Sequence, residues 1–356
     1  MPHRPSLVRR LGELRRSYTG ETDSTLLPTI TEGIQSLTVE RRERIRGILD
    51  AGFETRLLGE NSSPPPGDVL RRAVLADANN VPQQQLEAGI LFALGRAAPY
   101  RWPATTVVAP MRVCAMTRPS IDGTQTVLHL PGSAAVPMIA TLLPHVADGT
   151  THGLAGLRVR VCRRNMVLYL ADSGWAGSIS LARTSFRQWA SMLGFARVVT
   201  GHEWPVAFEG PPTEPERAVI AAGRVPGPVP MASALLRRLR ILGDTMWLTV
   251  QPDGPIGIRL NWSGGRTAVQ VAAALVHPLA GLPGDQFIVT RTADEPITIT
   301  SLGADGAATA RIVLHQAPLT TPPPFTRIDT TTAWAEFNRV MKVCAPAPPK
   351  PAELVH

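Results

Sequence analysis

Arginines on a predicted strand, one glycine-rich turn and a few histidines are the residues of this chain best suited to chemistry. The run Leu157-Arg-Val-Arg-Val-Cys-Arg-Arg164 alternates apolar and basic residues. Successive side chains of a strand point to opposite faces, so Arg158, Arg160 and Arg164 share one face, and Leu157, Val159 and Val161 share the other. Arg163 falls in or beside the turn that follows. Arg112 and Arg118, on a hairpin further upstream, would extend the same basic face. Guanidinium groups on an open sheet suit phosphate contacts, whose affinity comes from counterion release. The expected partner is nucleic acid or an acidic protein. Only Trp102, Tyr169 and Trp175 lie nearby in sequence, so base stacking is not expected.

A second candidate is Trp262-Ser263-Gly264-Gly265-Arg266-Thr267, which opens a helix. Backbone N–H groups and the dipole at a helix N-terminus favour an anion, and Arg266 would add a charged donor. No GxxxxGK[ST] or GxGxxG accompanies it. The plain expectation for Ser263–Thr267 is a cap and tight turn. The sharper one is a site for a phosphorylated or otherwise anionic small molecule, which would make the protein an enzyme.

His145, Asp148 and His152 are close in sequence, but their spacing imposes no metal geometry. His145 and His277 each stand at the end of a predicted helix, where the dipole favours a histidine without any metal. Gly201-His202-Glu203-Trp204 reads as a loop. GxSxG, HExxH and kinase-type motifs are absent. Cys114, Cys162 and Cys344 lie far apart, without CxxC spacing. No catalytic set, metal or cofactor is expected.

The 356 residues carry a net charge of +8. Residues 101–200 hold ten arginines against three acids, whereas the stretches on either side are almost neutral. The excess therefore falls on the segment that contains the basic strand. The first residues, MPHRPSLVRRLGELRR, place arginines where a secretory leader needs an apolar run. No membrane span is expected, and the expected location is the cytoplasm.

Two amphipathic helices are predicted early, over Leu7–Ser17 and Thr38–Leu58, followed by a Pro-rich loop at Gly59–Gly67. Helical spacing returns over Gln83–Ala97. Two similar patterns follow. Thr126–Ala171 and Gly257–Thr300 each run from a strand, through a glycine-containing turn and an apolar helix, into paired strands. Helices at Thr184–Leu193 and Asp329–Val343 close the two units with aromatic faces.

The expected fold is α+β: a helical N-terminal segment (1–58) followed by two related, duplicated α/β units with mixed, mainly antiparallel sheets. The units are a basic first repeat (68–200) and a neutral second repeat (213–343), ahead of a disordered tail (344–356). The functional expectation is a non-enzymatic binding or adaptor protein. Its first repeat engages nucleic acid or another polyanion, and its second is free to meet a protein. Proline runs at Pro64–Pro66 and Pro322–Pro324 fit linkers better than adaptor ligands.

Overall fold

The computed structural model describes residues 5–51, 67–100, 116–119, 125–163, 165–174, 176–284, 286–291, 296–326 and 328–343. The chain begins with three helices, α1 (Leu7–Thr19), α2 (Asp23–Gln35) and α3 (Val39–Ala51). Gly20, at φ 71°, ends α1 by donating to the Arg16 carbonyl, in the left-handed geometry that glycine adopts freely. The sequence reading has no counterpart of α2, because Pro28 and its threonines obscure the helical period. Proline removes one backbone donor. Burial of Leu26, Ile30 and Ile34 along one face holds the helix nonetheless. Residues 52–58 of the expected second helix, and the expected tail, lie outside the described residues.

After α4 (Asp68–Arg72) comes α5 (Val81–Arg96), buried without interruption from Leu86 to Gly95. A helix that is apolar all round has to lie at the centre of the molecule. It packs against the helix α6 (Gly132–Leu142) of the first unit. The strands of that unit are β1 (Met116–Pro119), β2 (Gln125–His129), β3 (His145–Ala147), β4 (Thr150–His152), β5 (Leu157–Val161), β6 (Asn165–Leu170) and β7 (Ser178–Ala182). Five of them form a sheet in the order β1-β2-β7-β6-β5, in which only β2 and β7 run parallel. The unit ends in α7 (Phe186–Thr200), opened by a capping box between Ser185 and Gln188.

The hairpin β3–β4 is an element that the sequence pattern did not show. Asp148 (φ 51°) and Gly149 (φ 70°) form its two-residue turn. Positive φ at both central positions is the turn that matches strand twist, and Asp-Gly is its sequence signal. His145 thus sits on a strand, beyond the end of α6.

The second unit follows α8 (Glu214–Gly223) and starts with α9 (Val229–Leu236). Its strands are β8 (Thr245–Pro252), β9 (Gly257–Gly264), β10 (Gln286–Thr290), β11 (Ile297–Leu302) and β12 (Ala308–Ala317). The helix α10 (Ala268–Leu275) lies between β9 and β10, and α11 (Thr331–Val343) closes the unit. The sheet order is β8-β9-β12-β11-β10, with β9 and β12 the parallel pair. Strand order, pairing senses and helix positions match those of the first sheet. Among the described residues only the first unit carries an inserted hairpin. The architecture is α+β with mixed sheets, and no described helix is long and apolar enough to cross a membrane.

The units meet through their helices: α5 packs on α9 and on β8, and α7 packs on α11. At the α5–α9 junction the fully buried Glu87 accepts from Arg237 Nε (2.8 Å) and Nη2 (2.6 Å), Gln83, Thr126 and Ser233. Arg237 Nη1 donates to the Ala76 carbonyl, 2.8 Å away. A charge pair shut away from water is tolerable only when its lone pairs and protons are satisfied in this way.

Candidate nucleic-acid interface

Arg158 does not line an open face. It is 1% exposed and makes a two-pronged contact with Glu216, both N···O distances being 2.9 Å. Its other donors reach the carbonyls of Gly210 (3.0 Å), Pro211 (2.7 Å) and Leu157 (2.7 Å), and its guanidinium lies 4.5 Å from the centre of the Phe208 ring. The segment that brings these partners is pinned to the edge of β5 by a backbone bridge between Val159 and Phe208. Strand alternation sets the side on which Arg158 stands. The chain returning some fifty residues later covers that side. Burial opposes the charge on Glu216, but the hydrogen bonds from Arg158 and from the N–H groups of Thr213 and Gly156 prevail and bring its pKa to about 2.

Arg160 lies next to Glu209, at 3.1 Å, with both side chains about half exposed. Arg163 is exposed in the β5–β6 turn. Arg118 takes its place on β1 opposite Val127, while Arg112 and Arg164 lie outside the described residues. The predicted face is therefore dismantled at Arg158 and neutralised at Arg160. Only Arg163 of the expected set is described as exposed and without a carboxylate partner.

Two arginines absent from the sequence expectation join it at one end of the sheet. Asn165 pairs with Ala182, and Cys162 N–H closes the β5–β6 turn on the Asn165 carbonyl at 3.0 Å. Arg183, next along from Ala182, therefore emerges beside the turn that carries Arg163. Arg187 follows in the first turn of α7. No carboxylate pairs with Arg163, Arg183 or Arg187 among the described residues. Arg183 also holds φ at 58°, which costs a side-chain-bearing residue about 1 kcal/mol. Arg187 stands at the positive end of a helix whose first turn has no acid. Both residues are locally unfavourable where they are. Their sequence signal was position: one ends a strand and the other starts the next helix, at the level of the arginine-rich turn.

The Ser263–Thr267 turn uses its own donors. Ser263 is fully buried, and its hydroxyl donates to the Pro318 carbonyl at 3.1 Å. Arg266 N–H donates to Leu242 (2.8 Å), Thr267 N–H to Gln270 (3.0 Å), and Gln270 N–H back to Thr267 (3.3 Å). Gly264 and Gly265 supply positive φ of 80° and 63°. A Cβ on Gly265 would lie 2.1 Å from the Leu242 oxygen. This is a cap packed onto the preceding chain, and the expectation of free N–H groups gathered around an anion is not met.

The histidines regroup. His145 stacks on His152, its cross-strand partner, with ring centres 5.4 Å apart, and His202 approaches from the loop after α7 at 5.1 Å. Trp204 meets His145 edge-on at 5.9 Å and anchors its indole N–H on the Pro144 carbonyl. Asp148 is instead at the exposed hairpin tip. Burial, together with repulsion from His202 and His152, lowers the His145 pKa below its ordinary value, although its bond to the Leu143 carbonyl works the other way. Among the described residues no three His, Cys, Asp or Glu side chains are arranged to hold a metal ion.

No protein-family model matches the chain, and comparison with curated proteins and with solved structures returns no match.

Proposed function

We propose that this chain is a non-enzymatic binding or adaptor protein that engages nucleic acid or another polyanion through one end of its first sheet. The carrying observation is that Arg163, Arg183 and Arg187 come to one end of the sheet with no carboxylate partner among the described residues, whereas Arg158, Arg160 and Arg197 of the same unit are ion-paired. The placement of Arg187 against a helix dipole is relieved by a bound phosphate. The interface is thus the end of the sheet rather than its face.

The shared strand order supports a duplicated α/β unit, with binding confined to the basic copy and the neutral copy available to a protein partner. A cytoplasmic setting suits this reading. The test is binding to labelled duplex and single-stranded DNA and RNA over a salt series. Replacing Arg163, Arg183 and Arg187 together by Ala is expected to weaken binding and to reduce the slope of log K against log salt by about 2 to 3. An unchanged slope refutes the assignment, and so does an absence of binding at low salt.

A further inference from the structure

A cleft of about 280 Å³ opens where the two units meet, between α5, the end of β4, the segment before α9, and β8. Phe92, Leu154, Val225 and Val250 supply apolar walls. The charged residues on its lining are Arg96 and Arg224, and no acid accompanies them. Arg224 is a wall. Its Nη1 donates to Gln85 (2.8 Å) and its Nη2 to both oxygens of Asp172 (2.7 Å each), which neutralises its charge. Its Nε–H is buried and has no acceptor. Arg96, in the last turn of α5, is different: it is exposed, and no hydrogen bond or ion pair engages it among the described residues. Desolvation by the surrounding chain lowers its pKa from the ordinary arginine value.

We infer that this cleft binds a small organic monoacid, with the carboxylate on Arg96 and the apolar body between Phe92, Leu154, Val225 and Val250. A single uncompensated guanidinium calls for a single negative charge, and a carboxylate matches its paired donors. Apart from the two arginines, Gln251 is the one polar side chain on the lining, which leaves too few partners for a phosphate or a sugar. At the packing density of protein interiors, near 0.75, the volume takes an occupant of about 200 Å³, such as an arylacetic acid or a medium-chain fatty acid. This site is separate from Arg163, Arg183 and Arg187 and stands whether or not those residues bind a polyanion.

The test is calorimetric titration of the full chain with phenylacetate, indole-3-acetate and octanoate, and with phenylacetamide as the uncharged counterpart of the first. Phenylacetate is expected to bind at least about tenfold more tightly than the amide, and Arg96→Gln to remove that preference. Arg96 has no partner to lose, so the substitution should leave the melting temperature unchanged. Val225→Trp, which fills the cleft from a half-buried position, should abolish binding of acid and amide alike. The inference is overturned if acid and amide bind equally, if Arg96→Gln binds the acids as wild type does, or if none of the three acids binds at millimolar concentration.

Discussion

Arg158 and Arg163 lie five residues apart on one strand and its turn and have opposite fates. Arg158 is enclosed by Glu216, three carbonyls and Phe208, and Arg163 is left to solvent. Removing one partner of a buried, hydrogen-bonded pair leaves an unpaired charge, so Arg158→Ala should cost about 3 to 5 kcal/mol in urea unfolding. Replacing both members with Arg158→Met and Glu216→Leu should recover most of that loss. A double variant no more stable than the single one would show that the carbonyls around Arg158 and the Thr213 and Gly156 N–H groups on Glu216, not the ion pair, set the energy. His145 gives a second prediction at this scale. Its pKa is lowered on folding, so the unfolded chain takes up the proton more readily. The contribution of His145 to stability is therefore fully present above its ordinary value of 6.5 and declines as pH falls below it. Urea midpoints at about pH 7.5 and 5.5 should differ less in His145→Phe than in the wild type. Glu203, close by in sequence, faces Arg197 at 3.2 Å, and Asp148 is at the far tip of the hairpin, so His152 and His202 dominate the coupling.

At the scale of elements, local patterns in the sequence carried far. The alternation of β5 and the apolar period of α6 and α10 report structure formed within a dozen residues. The element order of both units was legible for that reason. What covers an element is not written beside it. The cover of β5 comes from residues 208–216, and the third histidine comes from beyond α7. Charge counted over residues 101–200 had the same blind spot, since the acids that neutralise its arginines are Glu203, Glu209, Glu216 and Glu336. The helix α2 was lost for another reason: its stabilising face is tertiary, and its own composition argues against it. Close approach between elements is testable at Gly95, where a Cβ would lie 2.3 Å from the Val250 backbone nitrogen. Gly95→Ala removes an entropic cost of helical glycine but forces α5 away from β8. The net effect should be destabilising by at least about 2 kcal/mol, measured by thermal or urea unfolding. A neutral or stabilised Gly95→Ala would mean that the contact between α5 and β8 is loose.

Across the whole molecule, arginine serves two purposes. Arg15, Arg71, Arg158, Arg224, Arg237 and Arg238 are all buried, and several reach carbonyl oxygens far away in the chain. Arg71 donates to Gly281 and Leu282, and Arg238 donates to Ala280 and pairs with Asp77. A planar, permanently charged fork with five donors ties several carbonyls in fixed directions, where lysine has three rotatable donors on one point charge. Lys342 and Lys350 are the only lysines of the sequence, which suits a chain that uses its cations as internal fasteners. A tyrosine likewise joins the first helix to the second half of the chain. The Tyr18 hydroxyl donates to the Ala274 carbonyl at 2.8 Å, across 256 residues. On the ribosome, the N-terminal helices therefore emerge long before the surface that receives Tyr18 has been made. Contacts of such separation form late and slowly. The start of this chain has to wait for its second half, exposed in the meantime to whatever escorts nascent proteins.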